Sequence, residues 1–367
     1  MRLHAHARAP IAGSTASWFA IARRALLHAT LVIGVCTGFA GMALDGFART
    51  GSAPARDDWP QFRGANRDGL APSDGLARAW PESGPVELWR SGVGAGFSGV
   101  ASVGDRLYTL GAEGETEDVV CVDAKTGKVV WRTPLGERFK GQFGDGGRST
   151  PTVVGDAVYA ATSDMKLGAF DAKSGELKWK VDLIETYGAR KPRFGFAPSP
   201  LVEKDTVLIE VGGQDPGKWL VGFDIETGEE KWSALDGNIA GSASPLVLDL
   251  HGTHQFVFHR LQGNNRSEAV SIDASGNVLW SFPIAVDTIC MPLFVAPDRF
   301  FASSASRGDG GKMVRVTHGE DGFATEELWT ERRMRNHFNN SVLVGGHLYG
   351  FDNSTLRCLD AETGEKM

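Results

Sequence analysis

One phrase recurs along this 367-residue chain. CVDAKTGKVVW at 121–131 returns as AFDAKSGELKW (169–179), GFDIETGEEKW (222–232), SIDASGNVLW (271–280) and CLDAETGEKM (358–367). Its first four aspartates, Asp123, Asp171, Asp224 and Asp273, are separated by 48, 53 and 49 residues. A catalytic motif is needed once. A phrase at a nearly fixed period marks one supersecondary unit copied along the chain, which buries its apolar face only by stacking on its neighbours. The repeat therefore limits the fold to a stack or a ring of like units.

A second phrase alternates with the first: GVASVGDRLYTLG (99–111), TPTVVGDAVYAAT (150–162), SPLVEKDTVLIEV (199–211), SPLVLDLHGTHQFVFH (244–259), MPLFVAPDRFFASS (291–304) and NSVLVGGHLYGFD (340–352). Each places two apolar strands around a Gly/Asp turn, and alternation as in Leu107–Thr109 fits half-buried strands. The D-x-x-T-G phrase supplies a second hairpin, so each unit holds four strands in about 48 residues, the size of one propeller blade. Turn density and β-branched content exclude a helical solenoid, and the coils of a parallel β-helix are shorter. The expected fold is all-β, a β-propeller of four-stranded blades. Six blade starts are visible. The fifth is degenerate, because GEDGFATEELW (319–329) keeps its Trp but loses the spacing, and the sixth stops at Met367. VELWR (86–90) reads as an isolated strand able to complete a last blade and remove an exposed edge. Seven blades are expected in the full-length protein, with eight as the alternative and the last incomplete in this chain.

The repeated residues have structural roles. Asp123, Asp171, Asp224, Asp273 and Asp360 accept backbone N–H groups within the turn, and Gly127, Gly175, Gly228, Gly276 and Gly364 supply positive φ. Trp131, Trp179, Trp232, Trp280 and Trp329 pack between blades. A flat indole needs a small partner surface, offered by residues 121, 169, 222, 271 and 358 and by the backbone beside the turn glycine. Cys121 and Cys358 belong to that small-residue set. With Cys290 they make an odd, scattered group without CxxC, so they read as buried small residues rather than a disulfide framework.

Residues 1–48 are not part of the fold. ALLHATLVIGVCTGFAGMAL (25–44) lacks a full charge and follows Arg23 and Arg24, as in a secretory leader, with small-x-small sites ending at Ala43 and Ala48. The run is also long enough for an uncleaved membrane anchor. Val35 before Cys36 argues against lipidation. Residues 49–85 read as a linker and a polar-aromatic lead-in, DWPQFRGANRDG (58–69), and 86–367 as the propeller. The chain is thus expected to be exported, to the periplasm or cell envelope.

The chain carries a net charge of −7. Residues 1–48 hold four Arg and one Asp, which leaves the remainder at −10 and argues against nucleic acid as a partner. The segments joining one blade to the next are locally basic: RTPLGERFKGQFGDGGR (132–148), KVDLIETYGARKPR (180–193) and TERRMRNH (330–337). Arg148, Arg190, Arg193, Arg332, Arg335 and His337 are the candidates for a cationic, anion-binding mouth. Phe139, Phe143, Phe194, Phe196 and Phe338 lie among these charges and either stack a planar ligand or anchor the linkers. His251, His254 and His259 come without an acidic or Cys partner in sequence and do not read as a metal site. Neither G-x-S-x-G, a Walker loop nor H-E-x-x-H is present, so no catalytic residue is assigned.

The phrase A-x-D-x-x-T-G-x-x-x-W resembles the tryptophan-docking repeat of pyrroloquinoline quinone (PQQ)-type propellers, and FDAKSGELKW and FDIETGEEKW are near-ideal copies. DWPQFRGANRDG, GGRSTPTV (146–153) and NHFNNSVLV (336–344) look like a bacterial exported group of PQQ-binding-like repeat proteins, related to the outer-membrane assembly factor B lipoprotein. The resemblance implies one of two functions. One is a binding or scaffolding module of the cell envelope without cofactor, whose partners are envelope proteins or an anionic ligand at the propeller face. The other is a PQQ-dependent alcohol or sugar dehydrogenase, of the polyvinyl-alcohol type, with Ca2+. The family's enzymes carry a vicinal disulfide and large ligand-bearing loops. This chain has no Cys-Cys pair and its blades run close to minimum length, so the scaffold is the expectation and no catalytic or metal-binding residue is carried over.

Overall fold

The computed structural model describes residues 58–367, apart from 73–75, 264–265, 285–288 and 306–309. The leader or anchor expected at 1–48, and the linker up to 57, lie outside the described residues. Those described form six antiparallel sheets, each a meander in chain order. The first holds Ala101–Val103, Arg106–Glu113, Thr116–Asp123 and Val129–Glu137. The second holds Thr152–Val154, Ala157–Ala161, Lys166–Asp171 and Leu177–Asp182. The third is Leu201–Glu203, Thr206–Glu210, Leu220–Asp224 and Glu230–Ala234, and the fourth Leu246–Leu250, Thr253–Gly263, Arg266–Ile272 and Val278–Ile284. The fifth is Leu293–Val295, Arg299–Ser304, Gly310–Gly319 and Gly322–Glu331, and the sixth the three strands Val342–Val344, His347–Asp352 and Thr355–Asp360. These are propeller blades. The first strands of the first three sheets lie side by side, as do those of the last three.

The turn chemistry repeats from blade to blade. Asp171 Oδ1 accepts the N–H groups of Lys173 and Ser174 at 3.1 and 2.8 Å and the Ser174 hydroxyl at 2.8 Å. Asp123, Asp224 and Asp360 make the same three bonds with their own turns. Asp273 accepts instead from the N–H groups of Ser275 and Asn277. Beside each of these hairpins the small residue faces its own blade's tryptophan across the ladder: Cys121 with Trp131, Ala169 with Trp179, Gly222 with Trp232 and Ser271 with Trp280. Directly after each pair the register slips by a β-bulge. A bulge bends and over-twists its strand, here at the same step in all five four-stranded blades.

Each indole then leans on the next blade. A Cβ added at Gly175 would lie 2.5 Å from the Trp131 ring, at Gly228 2.7 Å from Trp179, and at Gly364 2.7 Å from Trp329. The ring nitrogens donate to the residue after the turn aspartate: Trp131 to Ala172 O at 3.1 Å, Trp179 to Ile225 O at 3.0 Å and Trp329 to Ala361 O at 3.3 Å. Trp131, Trp179 and Trp329 thus each dock on the turn of the following blade. One expectation about this packing is corrected. The small residue makes room for its own blade's indole, and the neighbouring blade offers the turn glycine.

Three further expectations change. Residues 86–90 are not a strand, and Val86 and Leu88 are exposed. Trp89 still docks as a blade's last tryptophan does, 2.5 Å from a Cβ at Gly127 and donating to Ala124 O at 2.9 Å. The fifth blade is not degenerate but longer: its last two strands pair from Gly311–Glu331 to Gly319–Gly322 around a tight hairpin, and Met313 faces Trp329 where other blades have a smaller residue. With no D-x-x-T-G turn there to receive it, Trp280 stacks on Phe300 at 5.1 Å and donates to Gln255 Oε1. Cys121 and Cys290 are buried as expected, whereas Cys358 is half-buried.

Candidate functional site

The lead-in 58–69 is not a loose connector. It fills the centre and touches blade after blade. Trp59 pairs with Ser102 of the first blade, and Pro60 O accepts from Val153 N of the second at 2.8 Å. Arg67 donates to Pro200 O at 2.6 Å and Pro245 O at 3.0 Å, joining the third and fourth blades. Phe62 packs on the apolar cluster shared by the fourth and fifth, and Arg63 donates to Ser341 O of the sixth at 2.8 Å. Arg67 is 2% exposed, and burial lowers its pKa to about 9, so it stays charged at neutral pH. Its Nε is held by Gln61 Oε1 at 2.9 Å. Arg63 and Arg67 adopt left-handed φ values of 63° and 56°, which cost about 1–2 kcal/mol each outside glycine. Charge-assisted bonds to carbonyls, about 1.5–3 kcal/mol each, offset that.

The residue two positions before the first strand adds a second set of links in the second to sixth blades. Thr150 N donates to Ser199 Oγ at 2.9 Å, Ser199 N to Ser244 Oγ at 3.0 Å, and Met291 N to Asn340 Oδ1 at 2.8 Å. Beside this set lie buried acids. Glu117 accepts Ser163 N at 2.9 Å, and desolvation raises its pKa to about 7. Glu210 accepts Gly241 N at 2.8 Å and is likewise raised well above the usual carboxylate range by burial. His259, equally buried, is lowered to about 3 by desolvation.

The sequence-derived cations do not form one ring. Arg148 lies over Phe139 at 4.4 Å and Phe97 at 5.5 Å, with its guanidinium on the carbonyls of Gly144 and Gly146. Arg193 lies over Phe194 at 5.2 Å. Phe194 meets Phe143 at 5.7 Å, and the Arg148 side chain passes 3.1 Å from a Cβ at Gly195, beside Phe194, so the two arginines adjoin one aromatic cluster. Arg335 is instead bound to Asp352 at 2.5 Å, and His337 stacks on Phe338 at 3.9 Å. Arg190 and Arg332 are exposed. Of the linker rings, Phe139 and Phe196 are buried anchors, while Phe143, Phe194 and Phe338 are exposed.

At the other end of the centre a cavity of about 460 Å³ opens among the turns after the first strands, lined by Asp58, Gln61, Arg67, Glu203, Asp249 and His254 among others. His254 has the acidic neighbours that its sequence context did not reveal: Nδ1 is 2.8 Å from Asp249 and Nε2 3.5 Å from Glu203. Asp249 is the cross-strand partner of His254 in its own hairpin, and Glu203 comes from the neighbouring blade. Among the described residues no group of three or more His, Cys, Asp or Glu is placed to hold a metal ion.

Repeated four-stranded blades linked by tryptophan docking define a PQQ-type β-propeller. The chain belongs to the family described as outer membrane protein assembly factor BamB, whose model matches residues 74–215 and 193–367. It is 33% identical over 153 residues to the outer membrane protein assembly factor BamB of Burkholderia pseudomallei, covering 40% of this chain and 33% of that one. It is 34% identical over 120 residues to the dehydrogenase subunit of the alcohol dehydrogenase (quinone) of Komagataeibacter europaeus, covering 30% of this chain and 16% of that one. The chain therefore spans a third or less of the length of these two relatives. The crystal structure of BamB from Moraxella catarrhalis superposes with a TM-score of 0.51 at 20% identity, over 74% of this chain and 72% of that one, a likeness of fold.

Proposed function

We propose that this propeller is an exported scaffolding and binding module of the cell envelope, which takes protein partners of outer-membrane assembly on its linker face. The observation that carries the reading is the filled centre. A segment of the chain itself bonds to the blades around the axis and leaves the cavity of about 460 Å³ beside it, which favours the faces over the centre as the surface offered to protein partners. Similarity to assembly factors supports the same reading. Among the described residues no helix is long and apolar enough to cross a membrane; the apolar run 25–44 is the proposed means of export or attachment. Photo-cross-linking from the linker face of the full chain in intact cells tests the proposal. Adducts with outer-membrane assembly proteins are expected, and their absence from every linker position overturns it.

Similarity to quinone-linked alcohol dehydrogenases favours a second reading, a PQQ-dependent dehydrogenase. The residues fit that cofactor poorly. The sequence has no adjacent cysteines to pack against a quinone. The buried carboxyls Glu117 and Glu210 sit on different blades, and among the described residues no group of three or more His, Cys, Asp or Glu converges as a Ca2+ site requires. Calorimetric titration of PQQ with Ca2+ into the full chain separates the readings. No saturable binding is expected, and one site per chain would favour the dehydrogenase.

A further inference from the structure

We propose that the aromatic–arginine cluster on the linkers of the first three blades is a docking surface for an acidic protein segment that also carries apolar side chains. The inference rests on the scaffold reading and names the surface and the partner's chemistry.

Three rings that ought to be buried are not. Phe97 is 61% exposed, Phe143 72% and Phe194 51%, each on a different linker. They are contiguous rather than scattered. Phe143 meets Phe194 at 5.7 Å, and a Cβ at Gly144 would lie 2.9 Å from the Phe97 ring. The Arg148 side chain runs between them, 3.1 Å from a Cβ at Gly195 and with its guanidinium over Phe97 at 5.5 Å. Isolated exposed apolar side chains are ordinary; a contiguous group marks an interaction site.

The composition, aromatic rings interleaved with arginine, is that of the energetic centre of a protein interface. The linkers are also fixed before any partner arrives. Phe97 N donates to Gly147 O at 2.6 Å, Gly146 N to Phe139 O at 2.9 Å and Phe196 N to Ser163 O at 3.0 Å. A preorganised surface loses little entropy on binding.

Charge selects the partner. Nearby Arg138 and Lys140 are already bound to Asp145 and Glu115. Arg148 donates to carbonyls and Arg193 to the Gln142 amide oxygen, neither within ion-pair distance of a carboxylate among the described residues, and Arg190 and Lys191 are exposed beside them. The negative charge of the remaining chain is screened beyond about 8 Å at physiological salt. A partner with carboxylates for the guanidinium groups and apolar side chains for the phenyl rings satisfies both features.

The test is calorimetric titration of the full chain with a decapeptide of alternating Glu and Leu, against one of alternating Lys and Leu. Saturable binding of the acidic peptide is expected, weakened at least tenfold in the double variant Phe143→Ser, Phe194→Ser and in Arg193→Glu. These side chains are exposed, so both variants should keep the parent's melting temperature. The proposal is overturned by no binding, by equal binding to parent and variants, or by preference for the basic peptide. Cross-linking in cells separates this result from the broader reading. Adducts that survive the double variant would sink this surface and leave the scaffold standing.

Discussion

Arg67 and Pro200 stand 133 residues apart in the chain, yet the guanidinium of the first donates to the carbonyl of the second at 2.6 Å. The same group reaches Pro245 O, 178 residues away. Replacing Arg67 with Met leaves two buried carbonyls unpaired and loosens the third and fourth blades together. A loss of about 3 kcal/mol or more is expected in urea unfolding. Arg67→Lys should recover only part of it, because a point charge cannot serve two carbonyls and Gln61 in one plane. A full recovery would mean that the charge alone matters.

Glu117 gives the protein a pH dependence on its own. Its folded pKa of about 7 lies above the free value of 4.5. Its contribution to stability is therefore complete below about pH 4.5 and declines as pH rises through 7, by roughly 3 kcal/mol. Glu117→Gln keeps an acceptor for Ser163 N and should flatten the stability profile between pH 5 and 8. Arg148 lowers this pKa. Arg148→Ala should therefore push the declining limb to higher pH, which thermal melts across a pH series would record.

The turn aspartates act on the acid side. Asp171 is held below the usual carboxylate range by the Ser174 N–H and hydroxyl, and Asp123, Asp224 and Asp360 are lowered by the same kinds of hydrogen bond. Stability from these groups is present above the free carboxylate pKa and is lost as pH falls through the depressed folded values. Asp171→Ala should lower the melting temperature by a few degrees at pH 7 and by less at pH 3.

Tryptophan docking predicts an unequal response to the same mutation. Gly175 has φ +75°, and a Cβ there would lie 2.5 Å from the Trp131 ring. At Gly276, with φ +84°, the closest atom is Ala234 Cβ at 2.9 Å, and the nearest Trp232 atom is 3.5 Å away. Gly175→Ala should cost about 3 kcal/mol, combining backbone strain with displacement of the indole, and Gly276→Ala about half that. Equal losses would show that the backbone conformation, not the ring, sets the cost.

The blades were legible because their information is local. A turn aspartate, a positive-φ glycine and a tryptophan recur in fixed order, and each role needs a particular side chain. The centre was hidden for the opposite reason. Arg63 and Arg67 bond to the backbone carbonyls of Pro200, Pro245 and Ser341, and every residue has a carbonyl. The one signal lay in the lead-in itself, where two arginines stand among Gly, Pro and Trp with no acidic residue between them. Of the acid neighbours of His254, Glu203 escaped notice because it belongs to another blade, and Asp249 because only the strand register sets it opposite the imidazole. The linker arginines were visible as charge, but the exposure of Phe143 and Phe194 beside buried Phe139 and Phe196 depends on packing that composition does not encode.

The central segment also sets an order in time. Its arginines are synthesised before every carbonyl they bind, and Ser341 follows Arg63 by 278 residues. At about 5–20 residues per second, translation reaches Ser341 roughly tens of seconds after Arg63. Early blades can form their own hairpins in that interval, but the guanidinium groups must remain hydrated until the later blades exist. The first-made part of the propeller is thus the last to be secured, and its locking reports that the sixth blade has arrived.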